Sequence, residues 1–139
     1  MSKIYEMAVS TSLTSVAIVE DDPAVRQRLS ERVSSARDML LVGMAEDLPG
    51  GLALLDGPEP DVLLVDLGLP GGCGTDLIQK AVIRWPQCDV MVVTVFGDQA
   101  HVMKAIESGA TGYLLKDADS ADLIDQIRAL RAGGSPITP

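Results

Sequence analysis

The chain is short of aromatic, cysteine and basic residues, and each shortage excludes something. Aromatics make up 3% of the 139 residues against 47% hydrophobic, so the core has to be built from Val, Leu, Ile, Ala and Met. That length suits one domain with a single well-buried core and leaves no room for a second full one. Two cysteines, Cys73 and Cys88, make neither a disulfide framework nor a zinc spacing, and are read as ordinary reduced thiols. Lys and Arg together number 11, none in a run, against 20 acids, a net charge of −9. Domains that bind nucleic acid neutralise phosphates with clustered cations, so direct contact with DNA or RNA is not expected, nor is attraction to anionic membranes. No apolar run approaches the roughly 20 residues that span a bilayer. Met1–Ser15 lacks the cationic start and apolar middle of a signal peptide, so a cytoplasmic protein is expected.

What is present is an alternation of two patterns. Met1–Thr14 is a mixed polar lead-in, read as a flexible leader. Ser15–Val19 is a continuous apolar run. It is followed by Asp22-Pro23, an N-cap with proline at the first helical position, and by Val25, Leu29 and Val33 at helical spacing. Leu40–Ala45 reads as the second strand, and Pro49 starts a short helix to about Leu55. Asp61–Asp66 is the third strand, with Pro70 and four glycines in the loop Leu67–Gly74. A helix follows from about Thr75 to Trp85, then a strand over Asp89–Val95 and a helix over Gln99–Ser108, with Gly109 as its stop. Thr111–Lys116 is the fifth strand, and Leu123, Ile127 and Leu130 stripe a last helix ending before Gly133-Gly134. The domain therefore spans 15–131, with 132–139 read as the start of a linker. Strands one, three and four lack polar alternation, which marks a parallel sheet covered on both faces. Right-handed crossovers make it a three-layer doubly wound α/β domain of five strands and five helices.

In such a sheet, functional groups gather at the carboxyl ends of the strands. Strand one ends in Glu20-Asp21-Asp22, strand three in Asp66, strand four in Thr94 and strand five in Lys116. Asp61 and Asp89 precede their strands and fall on the opposite edge. Taken singly, each residue has a plain reading: Asp22 a helix cap, Asp66 and Lys116 solvated strand ends, Thr94 strand packing. Taken together, converging carboxylates repel one another unless a cation joins them. Oxygen ligands without His or Cys suit a hard ion such as Mg²⁺ (or Mn²⁺). A site with Asp, Mg²⁺, Lys and a hydroxyl is suited to holding a phosphoryl group, which an Asp carboxylate can also accept covalently.

The stretches Val19-Glu20-Asp21-Asp22-Pro23, Pro60–Pro70, Val93-Thr94 and Gly109–Lys116 resemble, in order, those of the receiver domain of two-component response regulators, over about Ser15–Arg131. The resemblance implies a flavodoxin-like sheet of order 2-1-3-4-5. It makes Asp66 the phosphoacceptor, charged by a sensor histidine kinase, with metal ligands Glu20, Asp21, Asp66 and the Gly68 backbone carbonyl. It makes Thr94 the switch hydroxyl, Lys116 the phosphate-pairing lysine and Tyr113 the aromatic switch that moves inward. Such a domain is not an enzyme beyond its own Mg²⁺-dependent phosphorylation and dephosphorylation. Leu114–Asp117 and the tail Gly133–Pro139 resemble NarL/LuxR-type transcriptional regulators, which implies an absent C-terminal helix-turn-helix domain and DNA contact only through it. A stand-alone receiver, a phosphorylation-independent pseudo-receiver and a haloacid-dehalogenase-like phosphatase are the alternatives. The last places its nucleophile after the first strand with a second Asp two residues on, where this chain has Gly68. The resemblance also implies dimerisation on phosphorylation, for which Asp38, Arg128 and Arg131 are charged candidates, a solvated helix face being the plainer reading. Asp117 stands where many receivers carry proline, Phe96 puts a large ring two residues past Thr94, and the glycine-rich loop after Asp66 is expected to be mobile.

Overall fold

The computed structural model describes residues 13–95, 97, 99–116 and 121–133. The elements alternate without exception: β1 (Thr14–Val19), α1 (Pro23–Ser35), β2 (Met39–Ala45), α2 (Leu48–Leu54), β3 (Val62–Val65), α3 (Gly74–Arg84), β4 (Asp89–Thr94), α4 (Gln99–Ser108), β5 (Gly112–Leu115) and α5 (Ala121–Arg131). The five strands form one sheet in the order β2-β1-β3-β4-β5, every pair parallel. The expected fold is the observed one.

Side chains that alternate along the strands supply two cores. Ala17, Val19, Leu63, Val65, Val90, Val92 and Tyr113 face one way, against Leu48 of α2, Leu77, Ile78 and Ala81 of α3, and Ala105 of α4. Val16, Ile18, Val62, Leu64, Met91, Val93 and Leu114 face the other way, against Leu29 and Val33 of α1 and Leu123, Ile127 and Leu130 of α5. Each such Val, Leu or Ile contributes about 1.5–3 kcal/mol of burial. β2 differs because it is the edge strand: Leu40, Val42 and Met44 are about half exposed. A register shift between Val16 and Ala17 marks where it bulges.

Helix starts follow the caps. Asp22 Oδ1 accepts from the N–H groups of Ala24 (2.9 Å) and Val25 (3.2 Å), as its place before Pro23 predicts. α2 begins one residue before Pro49, at Leu48, because Asp47 caps it through the Gly50 N–H at 2.7 Å. β1 and β2 likewise begin one residue early, and β5 is shorter than Thr111–Lys116 at both ends. Thr14 thus lies in β1 rather than in a leader. Ala132 and Gly133, assigned to a linker from sequence, close α5 through bonds to the Arg128 and Leu130 carbonyls.

At the amino edge of the sheet the charges are paired. Asp61 Oδ2 accepts from the Ser15 N–H at 2.9 Å and from its hydroxyl at 3.2 Å. Arg131 reaches Asp89 at 2.9 Å and Asp61 at 3.5 Å. Arg128 forks onto both oxygens of Asp38 at 2.9 and 3.0 Å, which holds the Asp38 carboxyl below its ordinary range. Asp38 stands in the turn after α1, not on the helix; Arg128 joins α5 to that turn and Arg131 joins it to the amino ends of β3 and β4, while both side chains stay exposed to solvent. Among the helices of the described residues, none is long and apolar enough to cross a membrane.

Candidate functional site

The backbone ladder that builds the sheet also aims the site. One residue past β1, β3 and β5, a main-chain bond to the neighbouring strand continues the parallel pairing: Glu20 N–H to Ala45 (3.0 Å), Asp66 N–H to Val19 (3.1 Å) and Lys116 N–H to Thr94 (2.8 Å). Glu20, Asp66 and Lys116 are therefore fixed by the register that pairs β1 with β2, β3 with β1 and β5 with β4. Their side chains meet. Lys116 Nζ lies 2.7 Å from Glu20 Oε1 and 3.1 Å from Asp66 Oδ2. One carboxylate oxygen from each of Glu20, Asp21 and Asp66 falls within 4.8 Å of the others.

Burial sets the electrostatics. Glu20 is only 1% exposed, and its carboxyl is pushed up to about 7. Loss of water raises it most; Lys116 and the Asp22 N–H, which donates to Oε2 at 3.1 Å, pull it down, and the Asp66 charge pushes it up again. For Lys116, burial works to lower the ammonium's pKa, but the bonds to Glu20 and Asp66 outweigh it and hold the group above its ordinary value. Glu20 Oε1 is buried and meets Lys116 as a 2.7 Å ion pair with no other polar partner, which leaves it lone-pair capacity for a second cation. The donor set is three carboxylates with oxygen only, which fits a hard divalent ion and not a thiolate- or imidazole-seeking metal.

The remaining expected residues are placed as follows. Thr94 ends β4 fully buried, beside Leu115 in the register. Gly68 is exposed, and its N–H donates to Asp66 Oδ1 at 3.4 Å. Tyr113 is expected to move inward; in this structure its ring is already inside, 1% exposed. Phe96 and Asp117 lie outside the described residues. The loop after Asp66 is glycine-rich yet anchored: Leu67 and Leu69 are buried, the Leu48 N–H bonds Pro70, and the Gly74 N–H bonds Leu67. Gly71 and Gly72 take positive φ values of 90° and 154°. A Cβ on Gly72 would collide with Leu48 Cδ2. Beside this loop a cavity of about 410 Å³ opens towards α4, lined by Leu67, Gly68, Thr75, Ala100, His101 and Lys104.

Arg26 is the site neighbour that strand-end reasoning misses. Its guanidinium turns back from α1 onto the backbone carbonyls of Glu20 (2.9 Å) and Asp21 (3.3 Å). The signal available in sequence was a cation in a helix first turn, where the helix dipole disfavours one.

The parallel 2-1-3-4-5 sheet brings an acidic pair, a strand-end Asp, a buried Thr and a Lys together at its carboxyl edge, on a flavodoxin-like α/β fold. Residues 16–128 match the family described as the response regulator receiver domain, and the chain belongs to that family. It is 34% identical over 118 residues to the transcriptional regulatory protein YxjL of Bacillus subtilis, which covers 85% of this chain and 54% of that protein. It is 30% identical over 118 residues to the nitrate/nitrite response regulator NarL of Escherichia coli K12, covering 85% and 55%. The chain thus spans about half the length of the curated relatives it matches, which are regulators of NarL/LuxR type. The isolated receiver domain of RcsB from Salmonella enterica serovar Typhimurium, solved with the phosphomimetic BeF₃⁻, superposes with a TM-score of 0.82 at 25% identity, covering 91% of this chain and 94% of that one.

Proposed function

We propose that this domain accepts a phosphoryl group on Asp66 from a phosphohistidine of a sensor histidine kinase, and that the resulting change controls an attached DNA-binding domain. The observation that carries the reading is the Lys116 ammonium held between Glu20 and Asp66, within a group of three carboxylates. An Asp66 oxygen attacks phosphorus, the phosphorus–nitrogen bond breaks and the imidazole leaves, giving an acyl phosphate. Lys116 engages Oδ2, which leaves Oδ1 as the attacking atom with only the long Gly68 bond to give up. Lys116 then neutralises phosphoryl oxygens where charge builds in the transition state. Glu20, Asp21, Asp66 and the Gly68 carbonyl are the residues that would hold Mg²⁺ or Mn²⁺; when bound, the ion supplies further neutralisation of the phosphoryl oxygens. Afterwards the Thr94 hydroxyl donates to the phosphate, and β4, β5 and the helices beside them respond. That response is bounded by the differential interaction of one new charge with two conformations.

Transcriptional output rests on the named relatives, and the −9 charge supports placing DNA contact outside this domain. A cytoplasmic location, a homodimer on phosphorylation and a lack of turnover on any separate substrate go with the same reading. The deciding measurement is Mg²⁺-dependent labelling by acetyl phosphate, followed by intact mass. Wild type is expected to gain one phosphoryl group and Asp66→Asn none. Equal labelling of both would reject Asp66 as the acceptor.

A further inference from the structure

We infer that Arg26 is the positioning residue of the acidic turn, holding Glu20 and Asp21 in the geometry that receives a divalent cation. This rests on the metal-site reading above and adds a residue to it. Arg26 occupies the first turn of α1, where a positive charge is unfavourable to the helix dipole, and that turn holds no acid. Its placement is explained by what it touches. Nη1 donates to the carbonyls of two successive residues, Glu20 at 2.9 Å and Asp21 at 3.3 Å. Nη2 lies 3.8 Å from Glu46, on the turn that follows the neighbouring strand β2. The Arg26 side chain is 22% exposed, whereas Arg28 and Arg32 of the same helix are exposed residues.

These contacts fix the main chain at two of the three residues whose carboxylates form the cluster. The Glu20 side chain is independently pinned by Lys116 and the Asp22 N–H, but among the described residues no bond to the Asp21 carboxylate is present. The direction of Asp21 is therefore set through its backbone, and Arg26 is the group that holds that backbone. A planar guanidinium reaches two carbonyls and a carboxylate at once, which a lysine ammonium does not reproduce.

Two effects of Arg26 oppose each other, and this makes the sign of the outcome decisive. As a nearby cation it repels a divalent ion, so removing it tightens binding if charge is all it contributes. As a positioning residue it preorganises the ligands, so removing it weakens binding.

The test is a Mg²⁺ titration of the full chain followed by amide chemical shifts, with a cooperative thermal melt to establish that each variant is folded. Arg26→Met is expected to weaken Mg²⁺ on the order of tenfold, as losses of ligand-orienting partners do. Arg26→Lys is expected to fall between that variant and wild type, because it keeps the charge and part of the reach. Unchanged or tighter binding by Arg26→Met overturns the inference. If Arg26→Met does not melt cooperatively, Arg26→Lys decides: weaker than wild type supports the role, and equal affinity overturns it. A wild-type chain that fails to bind Mg²⁺ would instead reject the metal-site reading itself, so the two failures are distinguishable.

Discussion

Asp61 and Asp66 bracket the same four-residue strand, β3, and their surroundings could hardly differ more. At the amino edge, Asp61 accepts two bonds from Ser15, and Arg131 lies against both it and Asp89. The charges there are matched and partly solvated. At the carboxyl edge, the carboxylates of Glu20, Asp21 and Asp66 converge while Lys116 bridges Glu20 and Asp66, and Glu20 and Asp66 are buried. Residue type does not separate the two edges, nor does the strand that carries them. The difference is a local surplus of negative charge where water is excluded, which is what a cation and a phosphoryl group can use.

Removing Lys116 should break the contrast most strongly. Lys116→Met leaves two buried acids without their shared cation and is expected to cost about 2–4 kcal/mol in urea unfolding at pH 8. The loss should shrink at pH 5.5, where Glu20 carries a proton. Next comes the close packing beneath the acceptor. A Cβ at Gly74 would lie 2.5 Å from the Asp66 carbonyl oxygen and 2.8 Å from Leu67 Cα, both rigid backbone. Gly74→Ala should therefore cost about 1–3 kcal/mol and shift the Asp66 amide resonance.

A pH series in metal-free buffer sharpens the comparison further. The Glu20 carboxyl sits at about 7 in the folded chain against an ordinary value of 4.5, so the folded state holds its proton longer. The associated stability is fully present below pH 4.5 and is lost as pH rises through 7. Melting curves should show this decline in wild type relative to Glu20→Gln; parallel profiles would mean that Glu20 titrates normally. The smallest effect belongs to the amino edge. Arg131→Gln removes only partly exposed pairs and should cost under about 1 kcal/mol, less again in high salt.

The fold was legible in the chain because its signals are redundant. Apolar strands such as Val62–Val65 cannot be anything half-exposed, and Asp22-Pro23 announces α1 one residue before it begins. The edges of elements were less legible where a cap acts at a distance: Asp47 reaches past Pro49 to Gly50, so α2 starts at Leu48. In the site, Glu20, Asp21, Asp66, Thr94 and Lys116 could be named because each stands at a strand end, a one-dimensional property. Contacts between elements were not legible in that way. Nothing local says that Lys116 lies closer to Glu20 than to Asp66, that Arg26 folds back over the turn, or that Arg131 serves Asp61 and Asp89 seventy and forty-two residues away. Those pairings are made by strand order and helix docking.

The two thiols have a practical consequence. Cys88 is partly buried and flanked by acids, and burial first, then Glu59, Asp89 and Asp61, push its pKa up to about 12, so it resists alkylation at neutral pH. Cys73 is exposed and stands at the start of α3, at the end of the loop that leaves Asp66. A maleimide dye should therefore attach at one place in the unmodified protein, on the segment that adjoins the acceptor. The chain carries its own attachment point for a fluorescent reporter of what happens at Asp66.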